Sequence, residues 1–163
     1  MPYYQPEKCA RYGLNISKKY DNGDDTWLEM DGNPGEWCIG FHGVKAPRSF
    51  IDGTQTKVLD AILKGNGQLP LLTQGSGQRH KNEHPVNGDG KNVVGTGVYF
   101  SPHIQVCLDD YTSTTDEYAL VFQARLNPKK VKICSSKNKH WVVNDPADIR
   151  PYGMILIDNK IRN

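Results

Sequence analysis

The chain predicts a single α+β domain, residues 1–163, built on a mostly antiparallel sheet with few helices. Short apolar runs with strand character recur along its length, and only one or two segments carry a helical period. No strand–helix–strand rhythm of a parallel sheet is present. One hundred and sixty-three residues are enough for one domain with a real core. Sixteen glycines and ten prolines call for many turns, which suits short antiparallel strands.

Taken in order, residues 1–36 read as an irregular segment rich in Asp-Gly, Asn-Gly and Asn-Pro-Gly turns. Tyr12, Leu14 and Trp27 are expected to anchor it on the core. Residues 37–42 read as a buried strand. Thr54 to Lys64 predicts a helix, with Val58, Leu59, Ile62 and Leu63 on one face and Gly65 at its C-cap. Gln74 to Gly97 is a long, polar, glycine-rich loop, and loops of that length serve function or are disordered. Val98–Ser101 reads as a short strand, and Pro102 starts a helix carrying His103 to Tyr111. Tyr118–Leu126 (YALVFQARL) is the strongest strand, followed by Lys130–Ile133, Trp141–Val143 and Met154–Ile157.

Composition excludes several classes. A net charge of +2 is too near neutral to imply nucleic acid. The acidic stretch 21–36 and the basic stretch 129–139 read as solvated surface, the alternative for the basic one being an acidic partner or a phosphate. Cys9, Cys38, Cys107 and Cys134 lie far apart, so neither a zinc site nor a disulfide scaffold is indicated. Reduced, mostly buried thiols are the expectation. No apolar run reaches the length of a membrane span and no signal peptide opens the chain, so a cytosolic or nuclear address follows. The histidines show no metal-ligand spacing, so no metal is expected.

Two motifs carry candidate chemistry. WCIGFHG (residues 37–43) ends on His42 and Gly43. A histidine at a strand end is by itself more often a structural hydrogen-bonder than a catalyst; a glycine after a strand lets a ligand approach the backbone. GTGVYFS (residues 95–101) centres on Tyr99, which is either plain core or a flat face offered to a ligand. Its G-x-G is not a dinucleotide fingerprint, because a strand and not a helix follows. Tyr111, in the string DDYT, either covers the core at a helix end or stacks on an aromatic ring.

In order and spacing, His42-Gly43, AILKGNGQLP (residues 61–70), GTGVYFS, Tyr111, YALVFQARL and HWVVNDPADIRPYGMILI (residues 140–157) resemble the catalytic domain of the poly(ADP-ribose) polymerase-like ADP-ribosyltransferases, the diphtheria-toxin-like H-Y-x class. The resemblance covers residues 37–157. It implies an ADP-ribosyltransferase-like split β-sheet with NAD in an extended cleft. Gly43 would bind the nicotinamide carboxamide through its backbone, Tyr99 and Tyr111 would enclose the ring, and His42 would bond a ribose hydroxyl. The Gln74–Val94 loop would cover the donor, with Arg79, His80 and Lys81 near the pyrophosphate. The family's carboxamide-binding serine would fall one helical turn before Tyr111, where this chain reads Cys107-Leu108.

The third catalytic position, a glutamate in polymerising members, aligns with His140, whose bland reading is an edge residue in a basic loop. Losing that stabiliser is worth on the order of 3 kcal/mol, or 10²–10³ in rate. Glu117 and Asp145 are the nearest spare carboxylates in sequence. The resemblance therefore implies mono-ADP-ribosyl transfer from NAD to a macromolecular acceptor, protein before nucleic acid, and no polymer. Its alternatives are a catalytically silent NAD- or ADP-ribose-binding or interaction module, or an NAD glycohydrolase.

Overall fold

The computed structural model describes residues 9–44, 85–86, 92–93, 97–112, 114–115, 118–133 and 139–161. The expected helix Thr54–Lys64 and the residues Arg79, His80 and Lys81 lie outside them. The described part is a mixed α+β fold: nine strands, all paired antiparallel, and one short α-helix. Strands β1 (Cys9–Gly13), β9 (Ile149–Asp158), β6 (Tyr118–Leu126) and β2 (Cys38–Val44) form one sheet in that order. Strands β5 (Val98–Phe100), β8 (Trp141–Val143) and β7 (Lys132–Ile133) form a second. A single bridge, Phe41 to Ser101, ties β2 to the end of β5. Inside the stretch expected as one long loop, β3 (Pro85–Val86) pairs with β4 (Asn92–Val93).

β6 shows why the larger sheet is central. Eight of its nine residues are buried, so both of its faces are covered. Leu120, Phe122, Ala124 and Leu126 face Val98, Phe100 and Val143 of the smaller sheet. Ala119 and Val121, with Ile155 and Ile157 of β9, face helix α1 (Ile104–Tyr111). That helix presents Ile104, Cys107, Leu108 and Tyr111, spaced three, four and seven residues on, which is the stripe an amphipathic helix buries. It begins where Ser101 Oγ accepts from the His103 N–H at 3.1 Å, and ends where Thr112 Oγ1 donates to the Leu108 carbonyl at 2.6 Å.

Three expectations are corrected. The segment 1–36 is not wholly irregular: β1 pairs with β9 from Cys9–Ile157 to Gly13–Gly153. Its side chains are mostly exposed, so backbone pairing alone makes it a strand and no apolar alternation announces it. For the same reason Tyr12 is no anchor, being 54% exposed, while Trp27 is buried as expected. The last strand runs from Ile149 and not from Met154. Pro151 and Gly153 read as strand breakers, but the register of β6 against β9 shifts between Gln123 and Ala124, and that irregularity absorbs them.

The acidic stretch is not merely solvated. Arg150 donates to both carboxylate oxygens of Asp21, at 2.7 and 2.8 Å. Its guanidinium lies 3.9, 4.6 and 4.7 Å from the ring centres of Trp37, Tyr20 and Trp27. Asp21 and Asn22 hold left-handed backbone (φ 49° and 56°), a conformation that non-glycine residues keep only when surroundings enforce it. The buried Arg125 beside it donates to the carbonyls of Trp37 and Leu28, both at 2.7 Å. The segment therefore folds around two sheet arginines.

Candidate functional site

Period-two alternation sets the site. On β5, Val98 and Phe100 enter the core, so Tyr99 faces the other way. On β8, Val142 shares that face and packs with Tyr99 and with Tyr111 at the end of α1. His140, just before β8, joins them: the Tyr111 hydroxyl bonds His140 Nδ1 and the two rings meet edge-on, centres 5.5 Å apart. On β2, His42 lies over Phe100 with ring centres 5.6 Å apart, and its Nδ1 sits 2.7 Å from the Tyr99 carbonyl oxygen. His42, Gly43, Tyr99, Tyr111 and His140, spread over ninety-nine positions of sequence, thus form one contiguous cluster.

Each member has a definable chemical state. His42 is buried. Burial pushes its pKa below the ordinary value, and the Tyr99 carbonyl opposes that only in part. The imidazole is therefore neutral, with its proton on Nδ1 donated to the Tyr99 carbonyl and Nε2 left as an acceptor.

Gly43 has no room for a side chain. It lies inside β2, not after it, and a Cβ there would stand 2.8 Å from both the Cys107 carbonyl oxygen and Tyr111 Cβ. What approaches its backbone in this structure is helix α1. Because Phe41 spends its N–H and C=O on Ser101, alternation turns those of Gly43 to the same edge, away from β6.

Cys107, where the resemblance expects a serine, is a buried thiol donating to the Phe41 carbonyl at 3.1 Å. Burial pushes it up to about 12, a nearby Asp110 adds to the rise, and the backbone N–H groups of Ser101 and Gly43 offset part of it. It is a neutral, unreactive thiol at physiological pH.

Both ring nitrogens of buried His140 are engaged: Nδ1 by Tyr111, and Nε2 by Asp110 Oδ2 at 3.2 Å. Asp110 is the residue that sequence reasoning missed. Its signal was the carboxylate directly before Tyr111 in DDYT, a string read only for its tyrosine. Of the carboxylates noted instead, Glu117 lies outside the described residues, and Asp145 is spent on the Ala147 N–H at 2.9 Å.

The described lysines of the basic stretch, Lys129, Lys130, Lys132 and Lys139, are exposed. Exposed Lys129, Lys130 and Lys132 line a groove of about 310 Å³ with Asn144, Asp145 and Asp148. Among the described residues no group of His, Cys, Asp and Glu could hold a metal ion, and no helix is long and apolar enough to cross a membrane. Compared with known proteins, the chain matches no protein-family model and no curated sequence.

Proposed function

We propose that this chain is an NAD-dependent mono-ADP-ribosyltransferase, with NAD as co-substrate, a protein acceptor, and a split-sheet fold of the poly(ADP-ribose) polymerase-like kind. The observation that carries the reading is that His42, Gly43, Tyr99, Tyr111 and His140 form one contiguous cluster. Nothing in their sequence spacing requires five distant residues to meet, and a shared ligand gives them a reason to.

The roles follow from their chemistry. The rings of Tyr99 and Tyr111 enclose the nicotinamide once Tyr111 parts from the packed Tyr99 and Val142. The outward edge of β2 at Gly43 offers a carbonyl and an N–H to the carboxamide, once the Cys107 thiol yields the latter. His42 Nε2 accepts from a ribose hydroxyl, its ring held by the Tyr99 carbonyl. The neutral third position leaves the cationic sugar less stabilised than a glutamate would, by about 3 kcal/mol, and supports single transfer, not chain growth. NAD and reduced thiols coexist in the cytosol or nucleus, where we place the protein.

A second reading, a silent NAD- or ADP-ribose-binding module, is favoured by one observation: His140 and Cys107 are already bonded within the protein. Incubation with labelled NAD and an extract of proteins and nucleic acids separates the readings. We expect nicotinamide release matched by label on protein. Release without label makes this a glycohydrolase. Thermal stabilisation by NAD with no release makes it a binding module. Neither release nor stabilisation removes NAD from the account.

A further inference from the structure

The contacts of His140 form a line. Asp110 Oδ2 stands 3.2 Å from His140 Nε2, and His140 Nδ1 bonds the Tyr111 hydroxyl. The buried His140 links two less buried groups: the Asp110 side chain is 43% exposed, and Tyr111 is half-buried where it packs on Tyr99 and Val142. We propose that Asp110, His140 and Tyr111 are a carboxylate–imidazole–phenol proton relay, and that the acceptor is therefore a neutral protein hydroxyl, a serine or threonine side chain. This inference rests on the ADP-ribosyl transfer proposed above.

The polarity follows from the partners. A carboxylate beside one imidazole nitrogen keeps the ring proton on that nitrogen. The proton of His140 accordingly sits on Nε2, toward Asp110, and Nδ1 is left as an acceptor. The phenol donates to it, which leaves the Tyr111 oxygen able to take a proton from a hydroxyl set against it. A carboxylate-backed histidine accepts a hydroxyl proton in this same sense when it acts as a general base. Here the phenol extends its reach by one residue.

The step balances. The bond from the ribose anomeric carbon to the nicotinamide nitrogen breaks, and its electron pair leaves with neutral nicotinamide. The acceptor oxygen bonds that carbon and gives its proton to the Tyr111 oxygen. Tyr111 passes its own proton to His140 Nδ1, the imidazolium is held by Asp110, and one proton leaves to solvent at the exposed carboxylate. Tyr111 is the catalytic residue; His140 and Asp110 position it and carry its proton. An acidic acceptor arrives deprotonated and has no use for such a relay, so the relay names the acceptor class.

Tyr111→Phe is the decisive variant because it keeps the ring and removes the hydroxyl. Labelled NAD is supplied with two peptides, one whose only nucleophile is serine and one whose only nucleophile is glutamate. We expect the wild-type protein to label the serine peptide, and Tyr111→Phe to lower the ratio of serine to glutamate labelling by about 10²- to 10⁴-fold. Asp110→Asn lowers kcat on the serine peptide in the same direction without raising KM for NAD. Nitrogen-15 spectra of the free wild-type protein show the His140 proton on Nε2. A serine-to-glutamate ratio unmoved by Tyr111→Phe overturns the relay and leaves ADP-ribosyl transfer standing. So does a wild-type protein that labels only the glutamate peptide, or a neutral His140 protonated on Nδ1. No nicotinamide release from the wild-type protein overturns both.

Discussion

Two buried polar clusters flank the central sheet, and they are built on opposite principles. Where residues 14–37 cover the sheet, Arg125 and Arg150 stand directly opposite each other on β6 and β9. Like charges in register repel, so each guanidinium is matched separately. Arg125 has the carbonyls of Trp37 and Leu28, and Arg150 has Asp21 and three aromatic rings. In the other cluster, where β2, β5, α1 and β8 meet, the groups are imidazoles and phenols, and one imidazole bridges a carboxylate and a phenol. An arginine is always charged, so the first cluster holds fixed cations and serves to hold a loop. The second can pass protons among its members. The relay proposed above rests on that difference.

If that contrast is right, the arginine cluster governs stability and little else. Arg150→Ala leaves the Asp21 carboxylate and three rings without their cation, and should destabilise the fold by about 3 kcal/mol, the low end for a buried pair because Asp21 is half-exposed. Urea denaturation measures it, and a loss under 1 kcal/mol means the rings pack as well on themselves. A smaller loss, about 1–3 kcal/mol, is expected from Gly43→Ala, whose new Cβ lands 2.8 Å from Cys107 O and Tyr111 Cβ and pushes α1 off the sheet. The same change should lower any NAD response, since Tyr111 moves with the helix; a wild-type melting temperature would show that α1 can shift at no cost.

The gentlest effect is a pH slope. The folded pKa of His42 lies below its ordinary 6.5, so beneath that pH the unfolded chain binds a proton that the folded chain refuses. The stabilisation is whole above pH 6.5 and is lost as the pH falls from there toward the folded value, at no more than about 1.4 kcal/mol per pH unit for one group. His42→Gln should show a shallower decline of stability between pH 6.5 and 5 than the wild-type protein. Equal slopes would mean that His42 takes up its proton alike in the folded and the unfolded chain.

Local signals made much of the scaffold legible. Tyr118–Leu126 and Trp141–Val143 are strands at the residues where apolar, β-branched runs put them, and α1 follows Pro102 closely. Strand β1 was not legible, because it is held by backbone hydrogen bonds on an edge and exposes its side chains. Nor was the full length of β9, because Pro151 and Gly153 break a strand everywhere except at an irregular register.

The sequence by itself determined the class of fold, since period and residue type are local properties of the chain, and its resemblance to the ADP-ribosyltransferases nominated His42, Gly43, Tyr99, Tyr111 and His140. Only the tertiary structure decided what each of them touches. It put α1 against Gly43, a neutral thiol on the outward edge of β2, and Asp110 behind His140. Contacts between residues thirty or more positions apart depend on strand register and on how a helix seats against a sheet, and those are set by the packing of the whole core.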